Sequence, residues 1–459
     1  MIVMKFGGSS LADARRIRHA AEIVKARLER RPVLVLSAMG DTTDHLLEAA
    51  GLAYHRGEVS VAGVEELHIA AIRDLGLSGE AQGEITPLLD ELKTLLTGIS
   101  LIRELTDRTR DYLVSFGERL SVRIFAAYLV SQGLQARAFD AWLAGFVSDS
   151  HYTAAELSGE SWDLIPEKLL PLLDEGILPV VTGFIARDAE GNITTLGRGG
   201  SDLSATMIAA ACKAEEVQVW KDVDGILTAD PRIVKNAKPV EAVTYEEAAE
   251  LAYFGAQVLH PRAMLPCMKT GTPVLVKNSY NSEAPGTRIV PVLEKRSLPV
   301  RAITSRKNVT LVDIVSSRML GQYGFLAEVF SAFARHHISV DMVATSEVSV
   351  SLTLDTINDL SALKKELSQI ASVELKEGKA IVTIVGNVKR SSEILARAFR
   401  TCELLGVAVQ MVSQGASKVN VSFIVNDTEA DEVLRALHSD FFDSLEIPKL
   451  EIPKTEKKT

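Results

Sequence analysis

The chain has 459 residues, of which 47% are apolar and 24% are charged. This length suggests about three domains, and these proportions exclude a disordered or collagen-like chain. With 50 Lys+Arg against 60 Asp+Glu, the formal net charge is −10, which argues against nucleic acid or an anionic membrane as a partner. An anionic ligand would have to be held in a local pocket.

Cysteines, histidines and apolar runs bear on compartment and metal binding. Cys212, Cys267 and Cys402 lie far apart without CxxC spacing, so we expect buried core residues rather than disulfides or a zinc site. No apolar run reaches the ~20 residues that span a bilayer, and no basic leader precedes Ile2–Phe6. We therefore expect a cytoplasmic protein. The histidines show no metal spacing, and the GxxxxGK[ST], HExxH and GxSxG motifs are absent.

Strands and helices alternate through the first part of the chain. A strand at Ile2–Phe6 is followed by a glycine turn, a predicted helix over 11–30 and a continuous apolar strand at 33–36. Further strands are predicted at 178–181 and 217–220, helices at 119–132 and 201–213, and a hairpin over 187–195. The alternation predicts an α/β layer fold with a mainly parallel sheet.

From about residue 297 the pattern changes to a repeat with an offset of about 70 residues. Residues 311–315 correspond to 381–385, and each copy is predicted to run strand, helix, strand, strand, helix, with the later helices at 359–370 and 428–438. This order is that of a ferredoxin-like βαββαβ module. We expect domain boundaries at 1–292, 297–378 and 379–447, with strands that interlace between the two small domains.

Two glycine turns that precede helices are candidate anion sites. In Lys5-Phe6-Gly7-Gly8-Ser9-Ser10, backbone N–H groups and a lysine can approach one anion, although a plain tight turn is the alternative. In the second turn, 195–202, Arg198 offers a planar fork for a carboxylate or phosphate. Ser201 is predicted to cap the following helix. Asp202 either complements the helix dipole or orients Lys5.

Three further polar segments follow strands or open helices. Residues 37–44 follow a buried strand, where open α/β sheets bind ligands. Residues 115–119 are predicted to lie at a helix start, so Glu118 either binds an ammonium group or favours the helix N-terminus. Residues 220–232 suit the ribose and phosphates of a nucleotide, with an ordinary loop as the alternative.

The polar and glycine-rich segments described above, taken with 183–184 and 254–262, resemble those of the aspartokinases, which are members of the amino acid kinase family. The resemblance lies in the order and spacing of the segments across residues 1–290. Residues 297–447 resemble the paired ACT domains of that family, and residues 318–326 and 346–355 are most similar to its lysine-sensitive class. The resemblance implies transfer of the ATP γ-phosphoryl group to the β-carboxylate of L-aspartate, which is the entry to lysine, threonine and methionine synthesis. It also implies Mg²⁺ with ATP, and a homodimer or higher homo-oligomer formed through the ACT domains.

The resemblance implies a role for individual residues. Lys5 and Asp202 would be catalytic, and Thr43, Glu118, Arg198 and Ser201 would bind aspartate, with Glu118 on the ammonium group and Arg198 on the α-carboxylate. The residues implied for ATP are Lys5, Gly7, Gly8, Ser9, Lys221, Asp222, Arg232, Gln257 and Val258. The residues implied for the lysine effector are Met319, Gly324, Phe325, Leu326, Asp341, Ser346 and Glu347.

Some alternatives remain open at this level. Gln257 stands where some relatives have a lysine, so either the backbone of that segment suffices for ATP or another cation such as Lys277 substitutes. Met319 and Phe325 can equally be core residues, and Asp341 and Glu347 merely solvated. A kinase acting on glutamate or N-acetylglutamate is the nearest other activity, and a catalytically silent amino-acid sensor is the alternative from a different class.

Overall fold

The computed structural model describes residues 1–77, 79–253, 259–293, 299–316, 319, 323–355, 359–386, 390–414 and 419–443. Its contacts divide the chain into two units. The described residues of the first unit are 1–77, 79–226, 239–253 and 259–293, and those of the second are 227–238 and everything described from 299 onward. None of the described helices is both long and apolar enough to cross a membrane.

The first unit is an α/β unit whose elements alternate along the chain. Its strands are β1 (Ile2–Phe6), β2 (Pro32–Leu36), β3 (Ala136–Phe139), β4 (Leu178–Thr182), β5 (Ile185–Arg187), β6 (Ile193–Thr195), β7 (Val217–Lys221), β8 (Ala242–Thr244), β9 (Val274–Asn278) and β10 (Thr287–Val290). Its helices are α1 (Ala14–Lys25), α2 (Thr42–Arg56), α3 (Ala62–Leu75), α4 (Gly79–Ile102), α5 (Asp107–Ser131), α6 (Ser161–Asp174), α7 (Gly200–Ala211), α8 (Tyr245–Tyr253) and α9 (Pro261–Thr270).

The main sheet of this unit has the order β3-β4-β2-β1-β7-β9-β10-β8. All its pairings are parallel except β9 with β10. Every residue of β1, β2 and β4 is buried, because a central parallel strand is covered on both faces. The carboxyl ends of β1, β2, β4 and β7 consequently meet at one edge of the sheet. The predicted mainly parallel α/β sheet is confirmed, and β5 and β6 form the predicted hairpin.

Two helix starts differ from the sequence prediction. Residues 115–119 do not open a helix but lie inside α5, which begins at Asp107 after the N-cap Thr106. Helix α7 begins at Gly200 with Gly199 as its N-cap, so Ser201 lies inside the first turn and caps nothing. Thr106 caps α5 with its side chain, which accepts the Thr109 N–H, whereas α7 starts directly after Gly199 in the left-handed conformation.

The second unit contains one antiparallel sheet of order β12-β13-β11-β14-β16-β15. Its strands are β11 (Val300–Val315), β12 (Met342–Thr345), β13 (Ser349–Asp355), β14 (Ser372–Gly386), β15 (Met411–Ser413) and β16 (Asn420–Asn426). Its helices are α10 (Phe325–Arg335), α11 (Ser361–Leu367), α12 (Ser391–Leu404) and α13 (Ala430–His438). The long central strands β11 and β14 serve both repeats, and α11 and α13 lie where the repeat predicts helices.

A short segment taken from the middle of the first unit's sequence belongs to the second unit. Ala229 and Val234 are buried in a core cluster with residues of β11, β14, β16, α12 and α13. The Ile303 N–H donates to the Thr228 carbonyl at 2.8 Å, and Thr228 Oγ1 lies 2.9 Å from His438 Nε2. Residues 227–238 are therefore held by the packing of the second unit.

Candidate active site

A cleft of about 840 Å³ opens at the carboxyl edge of the main sheet. Residues after β1, β2 and β4 form its floor, and α2, α5 and the loop into α7 form its walls. The lining residues are Lys5, Gly8, Ser37, Ala38, Gly40, Thr43, Leu47, Arg110, Asp111, Val114, Glu118, Thr153, Phe184, Thr195, Gly197, Arg198, Gly199, Gly200, Ser201 and Asp202. The cleft thus brings together the four predicted motifs around residues 5–8, 37–44, 118 and 195–202.

Two lysines share one buried carboxylate in this cleft. Lys5 Nζ lies 2.7 Å from Asp202 Oδ1, and Lys221 Nζ lies 3.3 Å from Asp202 Oδ2. Burial opposes ionisation of Asp202, but the charges of Lys5 and Lys221 outweigh it and hold the pKa of the carboxyl below its usual value. Two ammonium groups against one carboxylate leave a net positive charge at the ends of β1 and β7. Asp202 therefore orients Lys5, one of the two roles that the sequence allowed.

The glycine turn after β1 packs too closely for side chains. A Cβ on Gly8 would lie 2.9 Å from the Ala38 carbonyl oxygen, and the Gly40 N–H donates to the Gly8 carbonyl at 3.2 Å. Contact at that distance leaves no room for a methyl group, so the two loops can meet only through glycine. Gly8 consequently exposes its main chain to the cleft beside Lys5.

Glu118 is a buried acid with one free oxygen. Its Oε1 accepts the Ala38 N–H at 3.0 Å, whereas Oε2 is buried without a hydrogen-bond partner among the described residues. Burial raises the pKa of Glu118 to about 8, against the opposing effects of the Ala38 N–H and the Lys5 charge. A cation that entered the cleft would favour the ionised form, so this carboxyl can take up an ammonium group.

The loop into α7 presents Arg198 to the cleft. Gly197 and Gly199 on either side of it have φ of +70° and +74°, the left-handed region that favours glycine. Arg198 itself is exposed. Thr43 lines the same cleft, whereas Thr42 is fully buried and donates its hydroxyl to the Met39 carbonyl. Ser201 is a lining residue as well, so all four residues predicted for the amino acid border one cavity.

The residues predicted for the nucleotide are more scattered. Gly7 lies two residues after Lys5, and Ser9 and Asp222 are exposed on the loops after β1 and β7. Arg232 lies in the second unit, where its guanidinium forms an ion pair with the Asp230 carboxylate. Gln257 and Val258 lie outside the described residues.

Lys277 does not lie beside Lys5. It pairs in register with Trp220, which pairs with Phe6, so these three side chains share one face of the sheet and Lys5 and Lys221 share the other. Lys277 Nζ stands 5.5 Å from the centre of the Trp220 ring. Lys277 therefore lies on the opposite face of the sheet from Lys5. This position does not support the idea that Lys277 replaces, beside Lys5, the lysine that some relatives have in place of Gln257.

Known proteins combine the same two units. The amino acid kinase family matches residues 1–278, and the ACT domain matches residues 312–364 and 382–441. Aspartokinase 1, chloroplastic, of Arabidopsis thaliana is 49% identical over 98% of this chain and 81% of its own length. The chain is an aspartokinase. Lysine-sensitive aspartokinase 3 of Escherichia coli is 36% identical over 96% of this chain and 99% of its own.

Solved aspartokinases share the fold. Escherichia coli aspartokinase III in complex with aspartate and ADP, in the R-state, matches with a TM-score of 0.82 at 36% identity over 96% of this chain and 100% of that one. The same enzyme with lysine and aspartate, in the T-state, matches with a TM-score of 0.80. The sequence resemblance to lysine-sensitive aspartokinases is thus confirmed.

The residues predicted for the effector of this aspartokinase lie in the second unit. Gly324 is the N-cap of α10 at φ +89°, and Leu326 is half-exposed. Asp341 precedes β12, 3.4 Å from Arg306, and Ser346 and Glu347 form the turn between β12 and β13. Phe325 and Met319 pack in the core cluster of α10 and α11, so their apolar bodies contribute to folding whatever else they contact.

Metal binding by the protein itself is not a feature of the described residues. Among them, no group of three or more His, Cys, Asp or Glu side chains could hold a metal ion. Asp202, which lines the cleft, is already engaged by Lys5 and Lys221. The residues present fit a divalent cation only if it arrives on a polyphosphate that supplies most of its oxygen ligands.

Three polar residues of the cleft, Arg110, Asp111 and Thr153, lie outside the predicted motifs. Asp111 lies two helical turns before Glu118 on α5, so the two carboxyls share one face of the helix. This i, i+7 relation was available in the sequence once the helix was traced back to its cap at Thr106. Thr153, by contrast, lies in an irregular loop at φ +69°, and no local pattern marks it.

Proposed function

We propose that this aspartokinase transfers the γ-phosphoryl group of ATP to the β-carboxylate of L-aspartate, giving 4-phospho-L-aspartate and ADP. This reaction would be the first step towards lysine, threonine and methionine. The proposal rests on one observation: the Lys5–Asp202–Lys221 cluster lies in the same cleft as Glu118 and Arg198. The aspartate and ADP bound by the Escherichia coli relative support it.

The cleft offers complementary charges to both ends of an amino acid. We assign the α-carboxylate to Arg198, the ammonium group to Glu118, and further contacts to Thr43 and Ser201. A guanidinium binds a carboxylate through two parallel N–H groups. A buried, ionised carboxyl strongly favours a cationic partner, because an unpaired buried charge is costly. The β-carboxylate would then face the net positive charge of Lys5 and Lys221.

The chemical step needs positioning and charge stabilisation more than acid–base catalysis. A β-carboxylate with a reference pKa of about 3.9 is already ionised at neutral pH. Its oxygen forms a bond to the γ-phosphorus, the bond from that phosphorus to the β,γ-bridging oxygen breaks, and ADP leaves with the electron pair. Lys5 and the main-chain amides of Gly7 and Gly8 would stabilise the negative charge spread over the transferred group.

We assign the nucleotide to the loops after β1 and β7, through Lys5, Gly7, Gly8, Ser9, Lys221 and Asp222, and Mg²⁺ is expected to enter on the ATP phosphates. Gln257, Val258 and Arg232 stay predicted nucleotide residues. In the described structure the Arg232 guanidinium is already engaged by Asp230.

We further propose that lysine inhibits the enzyme from a site between the start of α10 and the β12–β13 turn, formed by Met319, Gly324, Phe325, Leu326, Asp341, Ser346 and Glu347. The lysine complex of the Escherichia coli relative supports this assignment. A homo-oligomer formed through the ACT domains and a cytoplasmic location also stay predictions, the latter because relatives of 48–49% identity are chloroplastic.

A panel of amino acids tests the proposal. ADP release by the purified chain with ATP and Mg²⁺ should depend on L-aspartate and not on L-glutamate or N-acetyl-L-glutamate. Turnover with one of the latter would replace aspartate as the acceptor. Binding of lysine without any turnover would favour the amino-acid sensor.

A further inference from the structure

The loop that carries Arg198 is held from two sides by charged side chains to which the sequence analysis gave no role in the site. We propose that Asp111 and Arg262 are positioning residues of the aspartate site. They fix the main chain of residues 195–197 and thereby the direction in which Arg198 enters the cleft. This inference rests on the proposed function, because it concerns the affinity for the amino-acid carboxylate.

Asp111 holds the loop through its N–H groups. Its Oδ2 accepts the Thr195 N–H at 2.8 Å and the Thr153 N–H at 2.9 Å, and its Oδ1 accepts the Thr195 hydroxyl at 2.8 Å. Asp111 is only 1% exposed, and burial raises the pKa of its carboxyl against these three bonds. A carboxylate that accepts three bonds in the interior forms stronger and more directional contacts than neutral groups would.

Arg262 holds the same two chain segments through their carbonyls. From the first turn of α9, its Nη1 donates to the Leu196 carbonyl at 3.0 Å and its Nη2 donates to the Ala155 carbonyl at 2.7 Å. His260, the N-cap of α9, stands against Gly199, where a Cβ would approach the His260 Cβ to 2.6 Å. The loop is thus supported on both sides of Arg198.

The two segments are also joined to each other. The Ala155 N–H donates to the Thr195 carbonyl at 2.9 Å, and a Cβ on Gly197 would lie 3.1 Å from the Thr153 carbonyl oxygen. Thr153 itself has a left-handed φ of +69°, a conformation that a β-branched residue adopts only when its surroundings impose it. The bond from its N–H to Asp111 is part of what imposes it.

Arg198 depends on this support because no other described residue holds its side chain. Its side chain is exposed, and it forms no hydrogen bond or ion pair with any residue in the described ranges. Its direction is therefore set by the main chain at Gly197 and Gly199, on which Asp111, Arg262 and His260 act. Since a displacement of about 1 Å at a binding group can cost up to about 100-fold in rate or affinity, loss of one support should be measurable.

Steady-state kinetics of four variants test the proposal. D111A should raise the KM for aspartate about 10- to 100-fold and leave the KM for ATP within about twofold. D111N, which keeps acceptors for the N–H groups, should restore part of this loss. R262K replaces the two donor nitrogens of the planar guanidinium with a single ammonium nitrogen, so we expect a rise of about tenfold. T195V removes only the hydroxyl bond, and about threefold is expected.

Asp188 supplies the matched control. It is 4% exposed and holds the far turn of the same hairpin, accepting the Asn192 N–H at 2.7 Å and the Tyr152 hydroxyl at 3.2 Å. It does not line the cleft. D188N should lower the unfolding midpoint but leave the KM for aspartate within about twofold.

Folded D111A, R262K and T195V with an unchanged KM for aspartate would overturn the positioning role. So would equal rises in the KM for aspartate and for ATP. If D111A does not fold, R262K and T195V decide. Wild-type protein without aspartate-dependent turnover would instead contradict the proposed function itself, so the two failures are distinguishable.

Discussion

Lys5 Nζ and Asp202 Oδ1 lie 2.7 Å apart in the cleft, although one comes from the first strand and the other from the first turn of α7. Both side chains are more than nine-tenths buried. Lys221 contacts the second oxygen of the same carboxylate, so the cluster keeps one positive charge that Asp202 does not neutralise. This residual charge is what an anionic phosphoryl group would meet.

Replacement of Lys5 tests the electrostatic role. K5A should lower kcat about 100- to 1,000-fold, because a preorganised positive charge would be lost from the transferred group. The fold should survive, since Asp202 stays paired with Lys221. Turnover and the circular-dichroism melting midpoint measure the two effects. K25A, which removes a half-buried partner of the exposed Glu22, is the control, and near-normal turnover of K5A would rule out the role.

The pKa of Glu118 predicts a pH dependence of stability. Burial raises this pKa from 4.5 to about 8. Between these two pH values Glu118 keeps its proton in the native protein, whereas the unfolded chain has released it. This contribution to stability is complete below about pH 4.5 and is lost as the pH rises through about 8. Relative to E118Q, the wild type should therefore lose up to about 1.4 kcal/mol of unfolding free energy per pH unit in that range.

Urea unfolding of both proteins, without substrates, at about pH 5.5 and 7.5 measures this difference. If the unfolding free energies of wild type and E118Q change equally between the two pH values, Glu118 is ionised in the empty cleft, which contradicts the prediction.

Arg198 is expected to act on the amino acid alone. R198A should raise the KM for aspartate about 10- to 100-fold with little change in the KM for ATP, because a charge-assisted, two-point contact to the α-carboxylate is lost. R137A, at an exposed position on β3, is a control that should leave both constants unchanged. A selective rise in the KM for ATP would reassign Arg198 to the nucleotide.

The effector site is tested at the β12–β13 turn. Glu347 is exposed there, so E347A should fold normally and keep its basal turnover. If Glu347 binds lysine, the concentration of lysine that halves activity should rise about tenfold, which corresponds to the loss of about 1.4 kcal/mol of binding. Inhibition curves of wild type and E347A that coincide would place the effector elsewhere.

The sequence predicted the central strands of the main sheet and the cleft motifs because their causes are local. Continuous apolar runs such as 33–36 are buried on both faces, and glycines mark the turns where loops meet through their main chains. The family resemblance supplied roles that these local patterns left open, such as Glu118 on an ammonium group.

Other features depend on packing between distant parts of the chain. The start of α5 was placed too late because its first turns carry mostly polar, exposed residues, although Thr106 caps it. Asp111 was missed for that reason. The membership of residues 227–238 in the second unit arises from contacts of Ala229 and Val234 with strands and helices that follow much later, which no local pattern reveals.

The most direct test of the account is aspartate-dependent ADP release by the purified full chain and by K5A and R198A. We predict saturable release with aspartate in the wild type, loss of kcat in K5A, and a higher KM for aspartate in R198A. Release of ADP that does not respond to aspartate, or that both substitutions leave unchanged, would contradict the claim that Lys5 and the Arg198 loop form one active site.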